Sequence, residues 1–201
     1  VHGSRGLGDV YKRQHENYMD RQIHRWTKQY KDSETQMIPE INELIEWLPK
    51  NIPSDQETSI VHGDFRLDNM IFDPITHEVK AILDWELSTL GNPIADFTYH
   101  MMSWRLPAGA KGLGMMGSDL KSLNIPSENE YAELYYKKTG REKIDNWDFY
   151  MAYNIFRLAG IAQGIVGRVR DGTASSSEAK NYEAFVPILG KLGWSIVEGI
   201  K

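Results

Sequence analysis

The chain has 201 residues, 41% of them hydrophobic, a formal net charge of −5 and no cysteine. That is enough apolar material for one sizeable core, or for one large lobe of something bigger. The acidic balance argues against nucleic acid as a partner, because phosphate backbones are gripped by clustered Lys and Arg, and the missing cysteines exclude disulfides, thiolate metal sites and cysteine nucleophiles.

No apolar run approaches the roughly 18 residues of a membrane span, and no signal-peptide core is visible. A cytoplasmic location is the resulting expectation. Residues 1–14 carry Gly3, Gly6 and Gly8 with no apolar period and no preceding strand, so they read as a non-native or disordered tail rather than a nucleotide loop. From His15 to Lys31 a polar stretch with Tyr18, Ile23, Trp26 and Tyr30 predicts a helix with a narrow apolar stripe. Ile38, Ile41, Leu44, Ile45 and Leu48 recur at helical spacing, and Pro49 and Pro53 are expected to close that helix.

Thr58 to Val61 is a short β-prone run. Met70 to Phe72 and Val79 to Leu83 predict two strands, joined by the turn chemistry of Asp73 to Glu78. Beyond Gly91-Asn92-Pro93 the pattern turns helical: Ile94 to Trp104, Glu128 to Thr139, Trp147 to Arg170 and Tyr182 to Ile200. The aromatic stripe from Trp147 to Phe156 reads as core. Leu106 to Asn124, rich in Gly and Met, reads as a mobile crossing loop, and Ser175 to Ser177 as a linker. The expected fold class is α+β, mostly helical, with a small β hairpin.

That hairpin follows the most informative segment, His62-Gly63-Asp64-Phe65-Arg66-Leu67-Asp68-Asn69, and leads into Asp84-Trp85-Glu86. Asn69 stands at the entrance of one strand and Asp84 at the exit of the other, so an antiparallel pairing brings them together. Asp64 supplies a carboxylate able to receive a proton from a hydroxyl. Asn69 and Asp84 offer oxygen donors suited to Mg²⁺, which keeps some water and borrows oxygens from substrate phosphates. These are the parts needed to move a phosphoryl group from a nucleotide to a hydroxyl.

The motif and its spacing resemble the catalytic and metal loops of the aminoglycoside phosphotransferase and choline kinase group, whose fold is kinase-like. The similarity runs from about Ile38 to about Ala174, and is greatest to the subgroup that includes the kinase-like domain of acyl-CoA dehydrogenase fusion proteins. The resemblance implies an ATP- and Mg²⁺-dependent phosphotransferase acting on a small-molecule hydroxyl, with a hydroxyacyl-CoA-type acceptor suggested by the fusions. It also implies fusion to or association with an acyl-CoA dehydrogenase, and an organellar location if the chain comes from a eukaryotic fusion protein.

In that group an N-terminal β lobe contributes the phosphate loop and the phosphate-binding Lys. None of this is visible here, so residues 15–201 are expected to form a C-terminal lobe that is inactive in isolation. By the same resemblance Asp64 is the base and Asn69 and Asp84 hold the metal. Arg66 either meets the transferring phosphate or is an ordinary surface arginine. His62 supports the loop by packing and hydrogen bonding. Glu86 reaches a second ion or the substrate, or forms a surface salt bridge. Asp96 matches a helix-borne carboxylate that braces the catalytic loop, with a plain helix N-terminal acid as the alternative. Asp68 reads as loop solvation. Two rival functions stay open: a non-catalytic kinase-like docking module, and a metal-dependent hydrolase, for which a His cluster or paired-metal ligand set is lacking.

Overall fold

The computed structural model describes residues 17–54, 57–109, 114–173 and 179–200. The tail expected at 1–14 and the serine cluster at 175–177 lie outside the described residues.

Helix α1 (Tyr18–Ser33) buries Tyr18, Ile23, Trp26 and Tyr30, the stripe read from the sequence, and Met19 with them. Helix α2 (Pro39–Trp47) starts with proline at its first position, where the missing N–H costs nothing. The α-helix ends at Trp47, ahead of Pro49, as expected. Pro49 sits inside a short 3₁₀ turn (Leu48–Lys50) that continues from α2, because a tightened last turn tolerates a residue without a donor.

Two antiparallel pairs form where one was expected. β2 (Met70–Phe72) and β3 (Val79–Ile82) make the predicted hairpin, with Met70 opposite Ile82. The Asp73 carboxylate accepts the Ile75 and Thr76 N–H groups, both at 2.9 Å, and these bonds hold it below the usual carboxylate range. The second pair joins β1 (Ser59–Val61) to β4 (Thr89–Gly91). Three residues are too few to display a period of two, which is why β4 has no signature in the sequence.

α3 (Pro93–Met101) begins at Asn92, whose side-chain oxygen accepts the N–H groups of Ile94 and Ala95. A 3₁₀ turn (Met102–Trp104) completes the expected Ile94–Trp104 segment. α4 (Glu128–Thr139) opens with a reciprocal capping box between Ser127 and Glu130 and closes on Gly140 in the left-handed region. α5 (Trp147–Arg170) and α6 (Ala179–Ile200) follow.

α5 is the central post. Tyr150, Met151, Ala152, Tyr153, Ile155, Phe156 and Ala159 are all buried, and the helix packs against α1, α3 and α6. Its approach to α1 requires glycine at 167, where an added Cβ would stand 2.7 Å from Ser33 Cβ. The crossing segment is tied down at both described ends. Met115 N donates to the Ser103 carbonyl at 2.8 Å and Met116 N to the Leu106 carbonyl at 2.9 Å. Among the described residues no helix is long and apolar enough to cross a membrane.

Candidate active site

The loop that leaves β1 is gripped from two sides. From α3, both Asp96 carboxylate oxygens accept backbone N–H groups, from His62 at 2.7 Å and from Gly63 at 2.8 Å. On the hairpin side the His62 ring is the link: within the loop its Nδ1 accepts the Asp64 N–H at 3.2 Å. That puts the ring proton on Nε2, which donates to the Leu83 carbonyl at 2.7 Å. The buried His62 ring also lies 4.7 Å from the Trp85 ring. One imidazole thus ties the loop carrying Asp64 to the loop carrying Asp84. Gly63 must be glycine: its φ is +84°, and a Cβ would stand 2.7 Å from the Leu87 carbonyl oxygen.

Asn69 Nδ2 donates to the Asp64 carbonyl at 2.9 Å and to Asp64 Oδ2 at 3.1 Å. Both partners are acceptors, so only the NH₂ end of the amide fits there, which leaves Asn69 Oδ1 available for a cation. The Asn69 carbonyl accepts the Leu83 N–H at 2.8 Å, setting Asp84 at the neighbouring hairpin end. Asp84 adopts a left-handed conformation, φ 63° and ψ 50°, an unfavourable choice for a residue with a Cβ. Its carboxylate and Asn69 Oδ1 are both oxygen donors, the ligand type a hard divalent cation prefers. The described residues contain no group of three or more His, Cys, Asp or Glu side chains able to hold a metal by themselves. A cation here therefore needs further oxygens from a phosphate or from water.

Arg66 pairs with Asp68 at 2.6 Å, and its buried Nε has no hydrogen-bond partner. Asp68, read as loop solvation, is 61% exposed and also serves as a charge partner, because the turn Leu67–Asn69 brings it back toward Arg66. Glu86 is exposed in the short turn Trp85–Leu87.

Two residues escaped the sequence reading. Arg157, buried on α5, donates to the Gly63 carbonyl, and its guanidinium lies 4.2 Å from the Tyr99 ring. Tyr99 is buried on α3 beneath the Arg157 guanidinium. Burial, and then the neighbouring Asp64 charge and hydrogen bond, push the phenol pKa up, with Arg157 opposing. The signal that could have found Arg157 is an arginine inside the apolar run Tyr153 to Ala162, where an unneeded charge is expensive.

Beside this cluster opens a cavity of about 350 Å³ whose walls include Arg66, Tyr99, His100, Trp104, Met115 and Tyr131. His100 is pushed below the ordinary imidazole pKa by burial.

The sequence profile of a family described as "Phosphotransferase enzyme family" matches residues 2–134. The chain belongs to that family. A solved structure of a Ralstonia eutropha protein classed as an aminoglycoside phosphotransferase superposes with a TM-score of 0.89 at 49% identity, covering 96% of this chain and 59% of that one. The kinase-like phosphotransferase fold expected from the motif is therefore the fold of this chain. Mouse acyl-CoA dehydrogenase family member 10 is 46% identical over 89% of the chain, and human acyl-CoA dehydrogenase family member 11 is 39% identical over 88%. The chain spans only 17% and 23% of the lengths of these two relatives.

Proposed function

We propose that the chain is the C-terminal lobe of an ATP- and Mg²⁺-dependent phosphotransferase that acts on a small-molecule hydroxyl. The observation that carries this reading is the Asn69 side chain, which holds the Asp64 carboxylate with one end and leaves its oxygen beside the hairpin end that bears Asp84. Asp64 holds the acceptor hydroxyl and receives its proton as the oxygen attacks. Asn69 Oδ1 and the Asp84 carboxylate hold the cation. Bound Mg·ATP supplies the transferable phosphoryl group and neutralises charge on its phosphates. Arg66, half engaged by Asp68, offers positive charge to the phosphoryl oxygens in the transition state. Asp96 and His62 keep the loop in register.

Both faces of the hairpin are partly exposed, with Ile71, Phe72 and Val79 at 47%, 41% and 51%. Ile60, Leu83, Trp85 and Leu87 nearby are exposed as well. An N-terminal lobe closing over this side and gripping the nucleotide accounts for such a surface.

The acceptor cavity favours an apolar body. Among the described residues that line it the carboxylate is Asp68, which already faces Arg66, whereas a polycationic aminoglycoside calls for several free acids. Together with relatives that are acyl-CoA dehydrogenase family proteins, this supports an acceptor of the hydroxyacyl-CoA type, and fusion to or association with such a dehydrogenase.

The test is ATP consumption by the full-length protein on hydroxyacyl-CoA, amino-alcohol and aminoglycoside acceptors, with calorimetry for Mg·ATP. Asp64→Asn is expected to lose most turnover while keeping Mg·ATP affinity; Asp84→Asn should weaken Mg·ATP binding itself. Wild-type turnover in Asp64→Asn would rule out the base assignment and bring the docking-module reading forward.

A further inference from the structure

His100, on α3, stands among rings. It is 8% exposed, and its imidazole lies 5.6 Å from the ring of Phe65, 5.7 Å from Tyr131, 6.0 Å from Trp104 and 6.5 Å from Phe97. Four aromatic neighbours restrict how the ring can turn. Phe65 directly follows Asp64, so the imidazole touches the loop that carries the base. Among the described residues no side chain or backbone group shares a hydrogen bond with the ring; burial alone moves its pKa, downward. Its nitrogens are not among the polar atoms sealed in the interior, and His100 forms part of the wall of the cavity of about 350 Å³.

A phenylalanine would pack between these rings without a polar edge to desolvate. An imidazole buried with no protein partner costs free energy unless an occupant of the cavity satisfies it. Other polar groups in the wall are already engaged. Arg66 and Asp68 pair with each other at 2.6 Å, and Trp104 Nε1 donates to the Pro126 carbonyl at 2.8 Å. Burial keeps the imidazole uncharged at neutral pH, so it offers one N–H and one lone pair. A ligand carboxylate would draw a second proton onto the ring, and an ammonium would give up its hydration for a single lone pair. A carbonyl oxygen requires neither.

We propose that His100 is a specificity residue of the acceptor cavity, and that its imidazole N–H donates to a carbonyl oxygen of the acceptor. The inference rests on the reading of this cavity as the place where the acceptor of a phosphotransferase binds. A hydroxyacyl thioester carries such a carbonyl; a plain alkanol or an amino alcohol does not. His100 neither receives the hydroxyl proton nor holds the cation. It selects which hydroxyl-bearing molecule is held.

The test compares two acceptors in the full-length protein by initial rates of ATP consumption: a hydroxyacyl-CoA thioester, and the thioether in which CH₂ replaces the carbonyl. The wild type is expected to prefer the thioester in kcat/KM by roughly 10-fold to 10²-fold, the effect of leaving a buried polar group unpaired. His100→Phe keeps a ring among the four aromatic neighbours and removes both nitrogens. It should bring the preference within about 3-fold. His100→Gln restores an N–H donor and should recover part of the preference. A ratio of two rates on one preparation does not depend on how much of it is folded, so recognition is separated from stability. No preference in the wild type, turnover of neither CoA probe, or an unchanged preference in His100→Phe would overturn the inference. In each case ATP consumption on another acceptor that still depends on Asp64 leaves the phosphotransferase reading standing. No ATP consumption on hydroxyacyl-CoA, amino-alcohol or aminoglycoside acceptors would remove that reading, and the role of His100 with it.

Discussion

The helical bundle and the loop-and-hairpin layer follow opposite rules. From Phe149 to Gly160 every residue of α5 is buried, with Met151, Ala152, Ile155, Phe156 and Ala159 at 0% exposure. In the hairpin layer strands of three or four residues leave Ile71, Phe72, Val79 and Leu83 partly in solvent. Stability comes from the first region, by removal of apolar surface from water. The second contributes little burial; its shape is held by polar bonds from the bundle residues Asp96 and Arg157, and by the His62 ring within the layer itself. The site can thus be strained and open because a separate region supplies the folding free energy.

The largest expected contrast separates activity from stability. Asp64→Asn in the loop layer should lower turnover by about 10²–10⁴-fold, the usual contribution of a general base, measured as initial rates of ATP consumption. The converse variant is Phe156→Ala in α5. It should cost about 3–5 kcal/mol by urea denaturation, the cost of an aromatic cavity in a packed core. Equal stability losses at the two positions would erase the distinction.

A smaller effect tests the seam between the regions. Asn92 caps α3 through Ile94 and Ala95 and donates to the Tyr150 hydroxyl at 3.1 Å. Asn92→Ala should cost about 1–2 kcal/mol and disturb Asp96, so turnover should fall with the unfolding midpoint.

His100 gives a pH signature. Burial depresses its folded pKa below the unfolded value of 6.5. At low pH the unfolded chain therefore binds the extra proton more readily. The His100 contribution is fully present above about 6.5 and is lost as pH falls through the lowered folded value. The thermal midpoint should drop on acidification through that window, and His100→Phe should flatten the drop. A midpoint independent of His100 between neutral and mildly acid pH would show that its burial carries no such penalty.

The smallest expected effect is at Ile75, 86% exposed at the hairpin turn. Ile75→Ser should change stability by no more than about 0.5 kcal/mol. Sedimentation velocity should show equal or less self-association.

The sequence by itself determined a good deal here. The apolar period of α1, α2 and α5 was legible because each helix buries one continuous stripe or the whole of its circumference. The hairpin was legible because a turn-forming cluster separates two β-prone runs. Placing Asn69 and Asp84 at its paired ends needed nothing more than antiparallel geometry. Asp64, Asn69 and Asp84 were named from residue types, spacing and a family resemblance, Asp96 from the resemblance, and the fold brings Asp96 to the loop and Asn69 to Asp64 by direct hydrogen bonds. Tertiary structure alone decided the rest. β4 exists only because β1 offers it a partner. Pro49 is absorbed by a tightened turn, Asp68 finds Arg66 across a bend, and Arg157 reaches the Gly63 carbonyl beside Asp64 from a helix remote in sequence. Local periodicity records which face of an element is buried. It carries no record of which distant side chain will stand against that face, and the environment of Asp64 depends on that second kind of information.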